Sequence, residues 1–222
     1  MISLLHPTVR PDQWEAGCQD WFKNCDYPEN VEYVLVPEKS RFSESFKPSI
    51  PFENHTVKWN TYTSSLVGGF NCAAEASRGD VLILTSDKYF SAPHWDTDLL
   101  RVLGRRLNTD AVVWASQTQT AHYGIREPET MVHAIITRIH YKKYGYVFHP
   151  DYSNWYADYE LQFVAERDNV LIDARDTLKF RKTVDRDEFE LAYAKTGEAS
   201  CAIFNRRKDA GFPNEVRSDR TV

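Results

Sequence analysis

The chain has 222 residues, of which 42% are hydrophobic and 14% aromatic, and its formal net charge is −5. This length and apolar content are typical of a globular protein with one large domain, or one domain with an appendage. The acidic balance argues against a surface that coats nucleic acid generally, although local basic clusters remain able to contact phosphates.

The first half of the chain alternates predicted strands with predicted helices. Apolar runs predict strands at residues 2–5, 31–36, 56–59 and 81–84. Helical periodicity predicts one helix from Trp14 to Cys25 and another over residues 66–78. Strands that alternate with helices in this way imply an α/β fold with a mainly parallel sheet flanked by helices.

The second half continues the pattern and ends in a charged tail. Helices are predicted over residues 93–103, 131–144 and 155–167, and strands over residues 111–115 and 170–172. The tail after Lys182 has helical stretches and no predicted strand. We therefore predict an α/β domain over residues 1–182 and a short helical C-terminal appendage over residues 183–222.

The four cysteines predict neither a disulfide framework nor a structural metal, because none forms a C-x-x-C pair or has a histidine at zinc-site spacing. The first ten residues lack the features of a signal peptide. No run of 18 apolar residues occurs, so no transmembrane segment is predicted. We expect a soluble, cytoplasmic protein.

An acidic loop follows the strand predicted at residues 81–84. Asp87 stands just past the carboxyl end of that strand, where ligands bind in open α/β sheets. A carboxylate there commonly holds a divalent cation that clamps a diphosphate, because Mg²⁺ and Mn²⁺ prefer oxygen ligands. A solvated loop residue or a helix cap explains the same position, so the position of Asp87 leaves both interpretations open.

Four short motifs stand in order along this predicted fold. They are HPTVRP at the first strand, N-x-x-A-x-A-x-x-G-D before the strand at residues 81–84, S-D-x-x-x-x-x-P-x-W after it, and A-D-Y-E-L on a late helix. In their order and separation, over residues 2–182, they resemble the GT-A nucleotide-sugar glycosyltransferases of the large inverting family 2. The resemblance implies a Rossmann-like GT-A fold and transfer of a sugar, with inversion, from a nucleotide-diphosphate sugar to a hydroxyl acceptor.

The resemblance also implies roles for individual residues. In such enzymes, the loop after the first strand receives the nucleobase and ribose, and a carboxylate past the fourth strand binds the metal and the diphosphate. The residues implied to bind the nucleotide sugar are Pro7, Thr8, Arg10, Glu38, Asn71, Asp87 and Lys88, with Asp87 also implied as the metal ligand. Arg10 is equally explained as a surface charge, and Asn71 as a side chain that bonds local backbone.

Asp158 matches the late acidic residue that serves the family as catalytic base. Inversion at an anomeric carbon requires the acceptor hydroxyl to lose its proton as it attacks, and one carboxylate suffices for that. A carboxylate favoured by the helix macrodipole is the alternative interpretation of Asp158. Glu160 lies about 200° further around the helix, so we expect it to be a surface group or a support for the site.

Two departures from the family pattern put metal dependence in doubt. Lys88 stands where many relatives carry a second acidic residue, and Phe180-Arg181-Lys182 stands where many place a metal-binding histidine. A lysine beside Asp87 would repel a divalent cation, or would itself neutralise the diphosphate as a fixed positive charge. Mg²⁺ or Mn²⁺ is therefore an implied cofactor that the sequence leaves open.

The acceptor is the least defined part of the prediction. The expected donor is a UDP-sugar, and the acceptor is left open between a glycan, a lipid-linked sugar, a protein and a hydroxylated base of viral DNA. Aromatic residues that stack on sugars or bases are dense before and at the late helix: Trp114, Tyr123, Tyr141, Tyr144, Tyr146, Tyr152, Trp155 and Tyr156. The alternatives from other classes are a non-catalytic nucleotide-binding module of the same fold and a nucleotidyltransferase.

Overall fold

The computed structural model describes residues 1–121, 124–126, 130–183 and 195–214. Its strands are β1 (Ile2–Thr8), β2 (Val31–Pro37), β3 (Asn54–Val57), β4 (Val81–Leu84), β5 (Tyr89–Phe90), β6 (Val112–Trp114), β7 (Ser116–Ala121), β8 (Gly124–Arg126), β9 (Ala134–Thr137), β10 (Leu171–Asp173) and β11 (Lys179–Thr183). Its α-helices are α1 (Trp14–Lys23), α2 (Leu66–Ala76), α3 (Trp95–Leu103), α4 (Arg138–Tyr144), α5 (Ala157–Arg167) and α6 (Gly197–Asp209).

The described strands form two sheets. The larger has seven strands in the order β10-β6-β9-β4-β1-β2-β3, and the smaller has the order β5-β11-β7-β8. In the larger sheet, β1 pairs in parallel with β2 and β4, and only β9 runs antiparallel to its neighbours β4 and β6. The predicted α/β fold with a mainly parallel sheet is therefore confirmed.

The central strands are buried on both faces, as helices on both sides of a parallel sheet require. Leu4 and Tyr33 belong to one apolar cluster, whereas Leu5 and Val34 belong to the other. Every residue of β1 and β2 is buried. The apolar residues that dominate these two strands explain why both were predictable from the sequence.

The helix predicted over residues 131–144 is wrong in its first half. Residues Ala134–Thr137 form β9, and α4 begins only at Arg138, where the Thr137 hydroxyl accepts a hydrogen bond from the backbone N–H of His140. A short apolar run that is buried on every side has no periodicity to separate strand from helix. The strands β5, β7, β8 and β11 were also not predicted.

The described part of the tail packs against α5. Arg207 of α6 donates two hydrogen bonds of 2.8 Å to Glu160, and Tyr152 donates another of 2.8 Å to the same carboxylate. Glu160 is 6% exposed, so it is a buried anchor for the tail and not a surface group. The rest of the predicted appendage, residues 184–194 and 215–222, lies outside the described residues.

No helix among the described residues has the length and apolar character that a membrane crossing requires. The cysteines form no disulfide, and each is a free thiol.

Candidate functional site

A cleft of about 1090 Å³ opens at the carboxyl ends of the central strands. Because β4, β1 and β2 are neighbours in the sheet, the residues that follow them converge on one edge. The sequence-predicted residues on its walls are Pro7, Thr8, Arg10, Glu38, Asp87, Lys88 and Asp158. The carboxylate past β4 and the carboxylate at the start of α5 thus face the same cavity.

Close contact between α2 and the end of β1 forms one wall. A Cβ atom on Gly69 would lie 2.5 Å from Cβ of Pro7, so only glycine allows this approach of helix and strand. The hydroxyl of Ser65 caps α2 by accepting from the N–H of Gly68 at 3.0 Å. The end of β1 therefore meets the start of α2 in the cleft wall.

Asp87 is held by two partners and is almost inaccessible. His6 Nε2 lies 2.9 Å from Asp87 Oδ1, and an Arg10 guanidinium nitrogen donates to Oδ2 at 3.1 Å. The side chain of Asp87 is only 1% exposed. Because a carboxylate only accepts, His6 donates through Nε2, and its other ring nitrogen bonds to the hydroxyl of buried Tyr33. This chain of contacts fixes the orientation of the carboxylate.

The residues around Asp87 do not fit a divalent cation. Both carboxylate oxygens already accept hydrogen bonds, one of them from a guanidinium. Within the described ranges, no group of three or more His, Cys, Asp or Glu side chains is arranged to hold a metal. A cation at Asp87 would also lie near Arg10 and Lys88, which are both positively charged and line the same cleft.

Asp158 occupies the first turn of α5, on the other side of the cleft. Burial raises the pKa of its carboxyl from 3.8 to about 6, although backbone hydrogen bonds and the charge of Lys182 oppose the shift. Its Oδ1 accepts from the N–H of Tyr159 at 3.0 Å. A carboxylate with this pKa is ionised near neutral pH yet basic enough to accept a proton.

Glu38 and Asn71 differ in their relation to the cleft. Glu38 lines it and accepts a 3.0 Å hydrogen bond from the side chain of Asn60. Asn71 lies within α2, 3% exposed, and is not among the residues that line the cleft. Its Oδ1 accepts from the N–H groups of Val147 and Phe148, and its Nδ2 donates to the carbonyl of Phe148. In the structure it therefore bonds backbone that is distant in sequence, and not the local backbone of the alternative interpretation.

The aromatic residues before and at α5 divide into core and rim. Tyr144, Tyr146 and Tyr152 are buried, whereas Trp155 is 48% exposed and lines the cleft. Tyr159, which was not predicted for this purpose, is 43% exposed and also lines it. Of the remaining aromatic residues named from the sequence, Trp114 is buried, and Tyr141 and Tyr156 are partly buried. Tyr123 lies outside the described residues.

The backbone of Tyr156, between Trp155 and α5, adopts a left-handed conformation with φ of 69°. This conformation is unusual for a bulky residue and marks a locally strained turn at the rim.

Sequence reasoning missed His6 and Tyr33. The signal was present as polar groups inside apolar strands, because His6 and Tyr33 lie within β1 and β2. A buried histidine needs hydrogen-bond partners, and the parallel register of β1 and β2 brings Tyr33 within reach of it.

The sequence matches no protein-family model and no curated protein. Solved structures do resemble it. S. aureus TarS 1-349 in complex with UDP-GlcNAc matches with a TM-score of 0.65 at 13% identity, over 84% of this chain and 59% of that chain. GalNAc-T7 with UDP, GalNAc and Mn²⁺ matches with a TM-score of 0.61 at 11% identity, over 83% of this chain and 44% of that one.

The mannosyltransferase PcManGT from Pyrobaculum calidifontis, in complex with GDP-Man and Mn²⁺, matches with a TM-score of 0.59 at 15% identity. That match covers 84% of this chain and 58% of the mannosyltransferase. The chain thus spans less than two thirds of the length of these structures. It has the GT-A fold of nucleotide-sugar glycosyltransferases, as the sequence resemblance predicted.

Proposed function

We propose that this protein is an inverting glycosyltransferase that moves a sugar from a nucleotide-diphosphate sugar to a hydroxyl acceptor. The observation that carries the proposal is the single cleft shared by Asp87 and Asp158. One carboxylate is held rigidly at the end of β4, beside the positive charges of Arg10 and Lys88, which suits the diphosphate. The other lies at the start of α5 with a raised pKa, which suits a base.

In this proposal, each wall of the cleft has one task. Pro7, Thr8 and Glu38 contact the nucleoside, and Arg10 and Lys88 contact the diphosphate, with Asp87 orienting Arg10. Asp158 accepts the proton of the acceptor hydroxyl as that oxygen attacks the anomeric carbon from the face opposite the leaving diphosphate. A UDP-sugar is the first donor to test, and the complexes of TarS with UDP-GlcNAc and of PcManGT with GDP-Man support the donor class.

The exposed rim beside Asp158 suits an acceptor with a ring. Trp155 and Tyr159 offer aromatic faces to the cleft, and such faces stack on sugars and on nucleobases alike. A glycan and a hydroxylated base of DNA therefore both remain acceptors to test. Binding of DNA through phosphates would weaken steeply with salt, whereas stacking of a neutral glycan would not.

The experiment is a donor screen followed by product analysis. The full chain is incubated with UDP- and GDP-sugars and candidate acceptors, and nucleotide binding and nucleoside diphosphate release are measured. We expect release of a nucleoside diphosphate, and Asp158→Asn should bind donor normally but lose transfer. Release of pyrophosphate would favour a nucleotidyltransferase, tight binding without turnover would favour a non-catalytic module, and full turnover by the variant would clear Asp158 of its role.

A further inference from the structure

Two lysines lie side by side where the family resemblance would supply metal ligands. Lys182 of β11 pairs with Tyr89 of β5 in an antiparallel register, and the N–H of Thr183 donates to the carbonyl of Lys88 at 3.1 Å. The end of β11 therefore lies directly against Lys88. Both lysines line the cleft, and Lys88 is 5% exposed.

The charge of Lys182 lies near Tyr89 and Asp158 in the cleft that Asp87 also lines. Its ammonium nitrogen lies 5.6 Å from the centre of the Tyr89 ring, next to the Asp87 loop. It is also close enough to Asp158 for its charge to oppose the rise in the pKa of that carboxyl. A lysine in this position can contact a diphosphate that extends from Asp87 towards the anomeric carbon.

Asp87 is committed to the protein and not to a cation. Arg10 and His6 occupy its two oxygens, as described above, and it is 1% exposed as a side chain. The acidic group therefore serves to hold Arg10, and the positive charges around the cleft are supplied by side chains. Ammonium groups bind phosphate oxygens as compact point charges and need no metal to do so.

We propose that Lys88 and Lys182 bind the diphosphate of the donor directly and that sugar transfer by this protein needs no divalent cation. This inference rests on the proposed function. In the step, the bond between the anomeric carbon and the diphosphate oxygen breaks with both electrons left on that oxygen. The acceptor oxygen forms the new bond to carbon, its proton passes to Asp158, and the two ammonium groups stabilise the charge gained by the nucleoside diphosphate.

The test measures binding of UDP and GDP to the full chain by calorimetry, in excess EDTA and in excess MnCl₂. We expect the preferred nucleotide to bind in EDTA with an affinity that MnCl₂ changes by less than about twofold. Lys88→Met and Lys182→Met should each weaken binding about tenfold or more, because a hydrogen bond to a charged group is lost. Binding of the corresponding nucleoside, which has no phosphate, should be unchanged in both variants.

Lys179→Met is the matched control, because Lys179 is an exposed lysine on the same strand that does not line the cleft. It should bind like the unaltered chain, and thermal unfolding of every variant checks that the fold is intact. Lys182 is only partly buried, so its variant tests the inference even if Lys88→Met fails to fold.

Two results would overturn the inference while leaving the proposed function in place. These are nucleotide binding that appears only with MnCl₂, and lysine variants that bind as tightly as Lys179→Met. Failure of every nucleotide to bind under both conditions would instead overturn the proposed function, and this inference with it.

Discussion

Replacement of Asp158 by asparagine should stabilise the protein at neutral pH while abolishing transfer. The pKa of this carboxyl is raised from 3.8 to about 6, mainly by burial, so the ionised form is disfavoured in the folded state. The shift corresponds to an order-of-magnitude destabilisation of about 3 kcal/mol when the group is fully ionised. Asparagine is nearly isosteric and keeps an oxygen to accept from the N–H of Tyr159.

The sign of the effect depends on pH. Above the folded pKa, the group is ionised in both states and the folded state bears the full penalty. Between the two pKa values, the unfolded chain ionises first, so stability falls as pH rises. Below the unfolded pKa the penalty vanishes. The variant should therefore gain up to about 3 kcal/mol at about pH 8 and less than about 1 kcal/mol at about pH 4.

Thermal unfolding of both proteins at these two pH values measures the difference. For a chain of this size, about 3 kcal/mol corresponds to a rise in Tm of about 6–12 °C. Asp12→Asn, which removes an exposed carboxylate, is the control and should give no pH-dependent gain. An equal gain at both pH values, or a lower Tm at the higher pH, would refute burial of the charge as the cause.

Three further variants test other parts of the site. Asn71→Ala should lower the free energy of unfolding by about 2–5 kcal/mol, because backbone groups of Phe148 lose buried hydrogen-bond partners. Donor affinity, measured at low temperature where the variant stays folded, should not change. Glu160→Ala should lower the free energy of unfolding by about 3–5 kcal/mol, because the buried charge of Arg207 loses its partner. Chemical denaturation measures this loss, and the double variant with Arg207→Met should recover part of it. Trp155→Ala should raise KM for the acceptor about tenfold, because stacking on the acceptor is lost, and should leave KM for the donor unchanged. Steady-state kinetics measure both values.

The sequence predicted those site residues whose place in the fold is set by a single strand or helix. Asp87 and Glu38 follow apolar strands that are evident from composition, and the carboxyl ends of such strands share one edge of a parallel sheet. Asp158 was identified through the resemblance to the glycosyltransferase family, and the helix that carries it has a clear apolar stripe. The convergence of Asp87 and Glu38 therefore required only the strand order, whereas the position of Asp158 also depends on how α5 packs.

What the sequence did not predict depends on contacts between distant elements. The bond between His6 and Asp87 joins residues 81 positions apart and exists only because β1 and β4 are neighbours. Lys88 and Lys182 meet through an antiparallel pairing of β5 and β11, two strands that are too short or too polar to recognise by pattern. Partner choice of this kind is a property of tertiary structure, and composition alone does not determine it.

The ion pair between α5 and α6 gives the C-terminal tail an influence on the chemistry of the cleft. A shortened protein ending at the boundary predicted from the sequence, after Lys182, would leave Glu160 charged and without its guanidinium partner. Glu160 lies two positions from Asp158 on the same first turn, so any adjustment that relieves this charge would also displace the base. Removing the tail would thus be expected to reduce turnover more than nucleotide affinity.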